Sequence, residues 1–282
     1  MADLDLRPLS LGEILDRTFS LYRRNFLLFV GITAIPQLMV LAFNLAQTLW
    51  KGSMASKATP GQMIAMGATL VVVGLVGVIV YFVALLFAHG ATVYAVSDLY
   101  LGRSTSIGAS LRRMKGQAGI LFGVLMLNGL AILVGFILLI IPGFYVACRL
   151  ITAVPAALLE QLGPSESLSR SFALTKDNAG RAFVIYFLYF ALFYGFFLLL
   201  VGPFLFAMAL SVRNPGMLRT WQALSQFGSF FATTLVTPFF TIATAVFYYD
   251  LRVRKEAFDL QMMMNPNESI APAATGLPSM LS

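Results

Sequence analysis

Charge is the first thing this chain has little of. Only 11% of its residues are charged, against 59% hydrophobic; a soluble domain carries ~25% charged residues. Too few polar side chains remain to coat a water-facing globule, so most of the surface must face lipid. Cysteine is almost absent. Cys148 stands alone in an apolar run, which excludes an intramolecular disulfide and a cysteine metal cluster. Histidine is equally scarce: with His89 alone, neither a histidine metal set nor a His–Ser–Asp array can be assembled. No phosphate loop and no HExxH occurs, so no cofactor is expected. The start, MADLDLRPLSLGE, lacks a basic stretch leading into an apolar core. A cleaved signal peptide is therefore not expected. The alternation of a membrane β-strand is missing from runs such as ILFGVLMLNGLAILVGFILLII. Helices, which satisfy their own backbone groups in lipid, are the physical choice.

What is present is apolar length. A spanning helix needs ~20 mostly apolar residues. Six segments qualify or nearly so, at about 26–50, 68–96, 120–141, 144–159, 183–211 and 221–249. Pro142-Gly143 is the expected turn between the third and fourth. Pro36, Pro155, Pro203 and Pro238 fall inside spans and predict kinks. Threonines around Pro238 offer hydroxyls for the carbonyls it frees.

Lys and Arg gather on alternate connections. Arg7, Arg17, Arg23, Arg24, Arg103, Arg112, Arg113, Lys115, Arg170, Lys176, Arg181, Arg252, Arg254 and Lys255 would share one side. Only Lys51, Lys57, Arg213 and Arg219 would face the other. By the positive-inside rule both termini are cytoplasmic, in a cell membrane. These charges flank apolar runs and form no basic stripe interleaved with aromatics, so nucleic acid is not an expected partner.

The pattern recurs three times. Ser10–Phe26, Thr105–Gly119 and Ser165–Gly180 are basic amphipathic stretches, each leading into an apolar hairpin that ends near an acid: Asp98, Glu160 or Asp250. Ser10 and Glu13 fit a capping box. Leu11, Ile14, Leu15, Phe19 and Tyr22 make the first apolar stripe; Ile107, Leu111 and Met114 the second; Leu168, Phe172 and Thr175 a weaker third. Such helices lie in the headgroup layer near anionic lipid, or pack on the ends of the bundle. Each should meet its spanning helix at an elbow, near Asn25, Gln117 and Asn178. The expected fold is all-α: six transmembrane helices as three hairpins, each preceded by an amphipathic interfacial elbow helix. It forms one membrane domain over 1–260, with repeat units of about 10–102, 103–163 and 164–260, and a disordered cytoplasmic tail at 261–282.

Two groups of residues could carry function. Asp98, Glu160 and Asp250 need partners, and Arg17, Arg112 and Arg170 are the candidate ones. The plain reading is a set of structural ion pairs; the functional one is a ring binding an ion, a proton or a lipid headgroup. Asn128, Arg149 and His89 are the candidates for a polar interior. Arg149 lies inside the fourth span, where it could line a site or snorkel to the outer interface.

The opening LRPLSLGEILDRTFSLYRRNF resembles the start of the membrane domain found with some glycerophosphoryl diester phosphodiesterases. HGATVYAVSDLYLGR, IPGFYVACRLITAVPAALLE, SLSRSFALTKDNAGRAF and FYYDLRVRKEAFDL look like that family too. The resemblance implies that phosphodiesterase chemistry belongs to a separate metal-dependent barrel domain with histidine and carboxylates in its site; this chain has one histidine and no room for that domain. No catalytic residue carries over. The expected function is a non-enzymatic scaffold or accessory module, touching the bilayer, anionic headgroups and a membrane protein partner. A small-solute or lipid transporter is the alternative, and a lipid-processing enzyme a third reading.

Overall fold

The computed structural model describes residues 7–54 and 59–256, with side chains left aside at 49–54, 60 and 63–66. The 261–282 tail lies outside these residues. The chain is all-helical, without strands among the described residues. In order come α1 (Leu11–Arg24), α2 (Phe26–Met54), α3 (Pro60–Tyr100), α4 (Ile107–Arg113), α5 (Ala118–Leu138), α6 (Ile140–Arg149), α7 (Ala153–Leu159), α8 (Pro164–Leu174), α9 (Ala179–Leu200), α10 (Gly202–Leu210) and α11 (Pro215–Glu256). Six stretches are long and apolar enough to cross a membrane.

Local signals set the boundaries. Ser10 caps α1, and Glu13 reaches back to the Ser10 N–H at 2.6 Å. That N–H, the Ser10 hydroxyl and then Arg7 hold the Glu13 carboxyl at about 2, below its usual 4.5. The cap therefore stays charged until pH falls through both values. Asn25, Gln117 and Asn178 stand between α1 and α2, before α5 and before α9, where the sequence predicts direction changes.

Two breaks fall where the sequence did not place them. The turn after α5 is at Leu139, whose backbone is extended, and Pro142 and Gly143 lie in the first turn of α6. Proline is tolerated there because the first N–H groups of a helix have no partner to lose. Gly143 instead serves close packing, its Cα 3.0 Å from where a Cβ on Gly135 would sit. The fourth apolar run is also interrupted, at Leu150–Thr152 between α6 and α7. Pro155 and Pro203 lie in the first turns of α7 and α10, while Pro36 and Pro238 sit inside continuous helices. Pro238 cannot donate to the Thr234 carbonyl, four residues back. Thr33 of α2 donates to it at 3.2 Å, and Tyr22 of α1 donates to the Leu235 carbonyl at 2.8 Å. The relief comes from two neighbouring helices.

The packed core sits at one end of the bundle, here called the polar end. Residues 90–98 of α3, all of α7, and 241–253 of α11 are buried. Elsewhere α3, α5, α6 and α9 leave large apolar side chains exposed, among them Val71, Ile79, Leu138, Ile141 and Leu199. α3 and α11 run parallel: His89 meets Thr241 and Ser97 meets Tyr249, the same offset of 152 in both. α2 and α11 run antiparallel, joined by Thr33 to Thr234, Thr233 to Gln37 and Gln226 to Thr48.

Where α9 breaks into α10, the Leu200 carbonyl oxygen lies 2.4 Å from a Cβ built on Gly228 of α11. Backbone cannot yield as a side-chain tip can. Gly228→Ala should cost ~1–3 kcal/mol, read as a lower midpoint in detergent unfolding, whereas Gly129→Ala, with open space around it, should be neutral or better.

Candidate functional site

The charged and hydroxyl groups of the polar end gather on α11. Three consecutive residues there, Tyr248, Tyr249 and Asp250, are 0–1% exposed. Successive helical side chains point about 100° apart, so the three face three different sets of neighbours.

Asp250 faces the N-terminal strap and α9. Its Oδ1 accepts from the Leu9 N–H at 2.7 Å and its Oδ2 from Arg181 at 2.8 Å. Arg254, one turn on, donates to both oxygens at 3.1 Å. Arg181 and Arg254 also donate to the Leu9 carbonyl. Leu9 is thus clamped at both backbone groups while its side chain enters the core.

Tyr248 faces α7 and α8. It donates to Glu160 Oε1 at 2.7 Å. Arg170 of α8 grips both oxygens of Glu160 at 3.0 and 2.8 Å and reaches Glu256 at 2.5 Å. Arg252 bonds Glu256 at 3.0 Å and lies against the Tyr248 ring. Burial opposes the Arg170 charge, but Glu160 and Glu256 outweigh it and hold its pKa above the ordinary value.

Tyr249 faces α3. It shares a 2.7 Å hydrogen bond with Ser97 and stacks on Tyr100 at 4.8 Å. Tyr100 in turn accepts from Arg17 of α1 at 2.8 Å. Beside this pair Asp98 takes Arg113 at 2.7 Å, and Arg113 lies over Tyr94.

The acids therefore meet partners in different ways. Glu160 takes Arg170. Asp98 takes Arg113 and not the candidate Arg112, because the next position on α4 is turned some 100° away. Asp250 takes Arg181 and Arg254, neither among the candidates, and the described hydrogen bond of Arg17 runs to a tyrosine. Leu9 could not be foreseen, since a backbone N–H and C=O leave no mark in sequence. Arg181 had a visible signal: it stands three residues past Asn178, in the first turn of α9.

The polar-interior candidates are dispersed. Arg149 ends α6 and lies against the C-terminal end of α8, bonding Thr175 at 3.2 Å and the Phe172 carbonyl at 2.5 Å. It stands ten residues past the Leu139 turn, at the last residue of α6. Ser171 and Thr175 return hydrogen bonds to the Arg149 carbonyl at the α6–α7 break. Lys255 caps the same end of α8 through the Ala173 and Lys176 carbonyls, both at 2.9 Å. Cations suit a helix C-terminus. The face α8 buries is Ser167, Ser171, Leu174 and Thr175, mostly hydroxyls, so its apolar stripe was a poor guide. His89 holds Thr241 at 3.3 Å. Asn128 keeps a buried Oδ1 without a described partner. No hydrogen bond among the described residues links Asn128, Arg149 and His89. Nor do three of His, Cys, Asp and Glu come together there as a metal would require.

Burial ranks the acids. The side chains of Asp250 and Glu160 are 0% and 1% exposed, that of Asp98 12% with its arginine 45% exposed. Removing one partner of a buried pair costs ~3–5 kcal/mol, and an exposed pair contributes ~0–1 kcal/mol. Asp250→Ala should thus sharply lower the unfolding midpoint in detergent, and Asp98→Ala should lower it less, because the half-exposed Arg113 it leaves behind can turn to water. Equal losses would contradict this ranking.

Residues 120–273 match the family model described as the membrane domain of glycerophosphoryl diester phosphodiesterase. No curated protein and no solved structure matches the chain.

Proposed function

The chain belongs to this family of phosphodiesterase membrane domains, and from that premise we propose that it works as a non-enzymatic module organising lipid or a membrane protein partner. The observation that carries the reading is how the polar end uses its charge. Asp250 is filled by three donors, and Glu160 by an arginine and a tyrosine. Carboxylates whose oxygens are taken up by fixed partners suit a structural latch, since removing one partner of a buried pair is costly.

In this reading the six spans form three hairpins, α2–α3, α5 with α6–α7, and α9–α10 with α11. Helices α1, α4 and α8 are the elbows at the membrane surface, and units of about 10–102, 103–163 and 164–260 repeat one plan. The excess of Lys and Arg at the polar end supports a cytoplasmic position for it and for both termini, in the cell membrane. A transporter is the second reading, favoured by the partnerless buried oxygens of Asn128 and Thr234.

The module reading predicts that protein extracted with its native lipid carries anionic phospholipid above the bulk membrane level, or a reproducible crosslinked membrane partner. Bulk lipid composition without a partner would contradict it. Solute uptake by proteoliposomes, lost on Asn128→Leu, would favour the transporter.

A further inference from the structure

A cleft of about 310 Å³ lies between α2, α3 and α4. Binding pockets run from roughly 300 Å³ upward. Its walls are apolar, with Ile32 and Ile35 from α2, Phe87 from α3 and Leu111 from α4. Two cations, Arg112 and Lys115, complete its lining. Both are exposed, and neither has an ion-pair partner among the described residues. This sets them apart from Arg113, Arg170, Arg181 and Arg254, which all hold acids.

The cations are held in place. Ile107 of α4 seats against Gly31 of α2, and Met114 against Gly90 of α3, each closer than any Cβ would permit. Those contacts pin the helix at both ends. Ser110 and Met114 are turned inward, Arg113 turns to Asp98, and Arg112 and Lys115 remain over the cleft. Ile35 of the cleft wall is itself 42% exposed, and Leu38 and Val83 extend the outward apolar surface at 52% and 47%.

An apolar cleft continuous with a lipid-facing surface and edged by two free cations matches one shape of molecule. It needs an acyl chain at one end and an anionic headgroup at the other. A free phosphate would gain nothing from the apolar walls, and a neutral lipid nothing from the cations. From this complementarity we infer that the α2–α3–α4 cleft binds one anionic phospholipid, its phosphate on Arg112 and Lys115 and an acyl chain against Ile35, Phe87 and Leu111. The inference rests on the lipid-organising reading above and gives it an address.

The test uses the full chain in detergent with added phosphatidylglycerol, and native mass spectrometry counts bound lipid. Each surface cation contributes about 5-fold in affinity, so Arg112→Gln with Lys115→Gln should weaken binding roughly 25-fold. Ala84→Phe, which fills the cleft without changing charge, should also release the lipid. Arg23→Gln with Arg24→Gln removes the same charge elsewhere and should leave it bound. If wild type prefers phosphatidylglycerol to phosphatidylcholine but the cleft variants bind equally well, the site is wrong and the lipid reading stands. If wild type shows no preference, both fall. Displacement by soluble glycerol 3-phosphate at matching concentration would make this a phosphate site and overturn the lipid assignment.

Discussion

The structure depends on residues 241–253 of α11 being enclosed on every side. Tyr248, Tyr249 and Asp250 follow one another, and the helical twist sends them in three directions. One reaches Glu160 and Arg170, one Ser97 and Tyr100, one Leu9 and Arg181. A single helix end thereby ties together segments from the start, middle and end of the chain. The contacts between α3 and α11 keep one offset over two hydrogen bonds, which fixes the register of the two helices.

That constraint explains the uneven packing. Helices in lipid gain little from burying apolar side chains against one another, since the surroundings are already apolar. Tight packing is needed where water would otherwise reach backbone and charge, and there α1, α7 and α8 close around α3 and α11. Away from the polar end, contacts are sparser and rely on small residues and hydroxyls. Gly135 against Gly143, Gly228 against the Leu200 carbonyl, and the Thr33, Gln37 and Thr48 seam are the instances. A buried ion pair contributes little net stability, since desolvation offsets attraction, but losing one partner is costly. Such pairs specify an arrangement more than they strengthen it.

Much of this was legible in the residues. Six apolar runs and the Ser10–Glu13 cap follow from length and capping chemistry, and helix boundaries fall at Asn25, Gln117 and Asn178. Arg170 stood among the candidate partners without an assigned acid, and Glu160 is the acid it meets. The errors have equally local causes. Pro142-Gly143 reads as a turn, yet proline also suits the first turn of a helix, which moves the break to Leu139. Arg112 and Arg113 are adjacent and chemically identical, and only the pitch of α4 decides which meets Asp98. The break at Leu150–Thr152 was invisible without knowing that the Ser171 and Thr175 hydroxyls would donate to the Arg149 carbonyl. Leu9, clamped through its backbone, had no side-chain signature at all.

The central claim is that the polar end is one cooperative unit hung on α11, and amide hydrogen exchange in a lipid bilayer tests it most directly. Asp250→Asn keeps the shape of the side chain and removes its charge. If the claim holds, exchange quickens together in α1, in residues 90–98 of α3 and in α7, because these open as one unit. Faster exchange confined to the residues beside Leu9 and Arg181, with α3 and α7 unchanged, would contradict it.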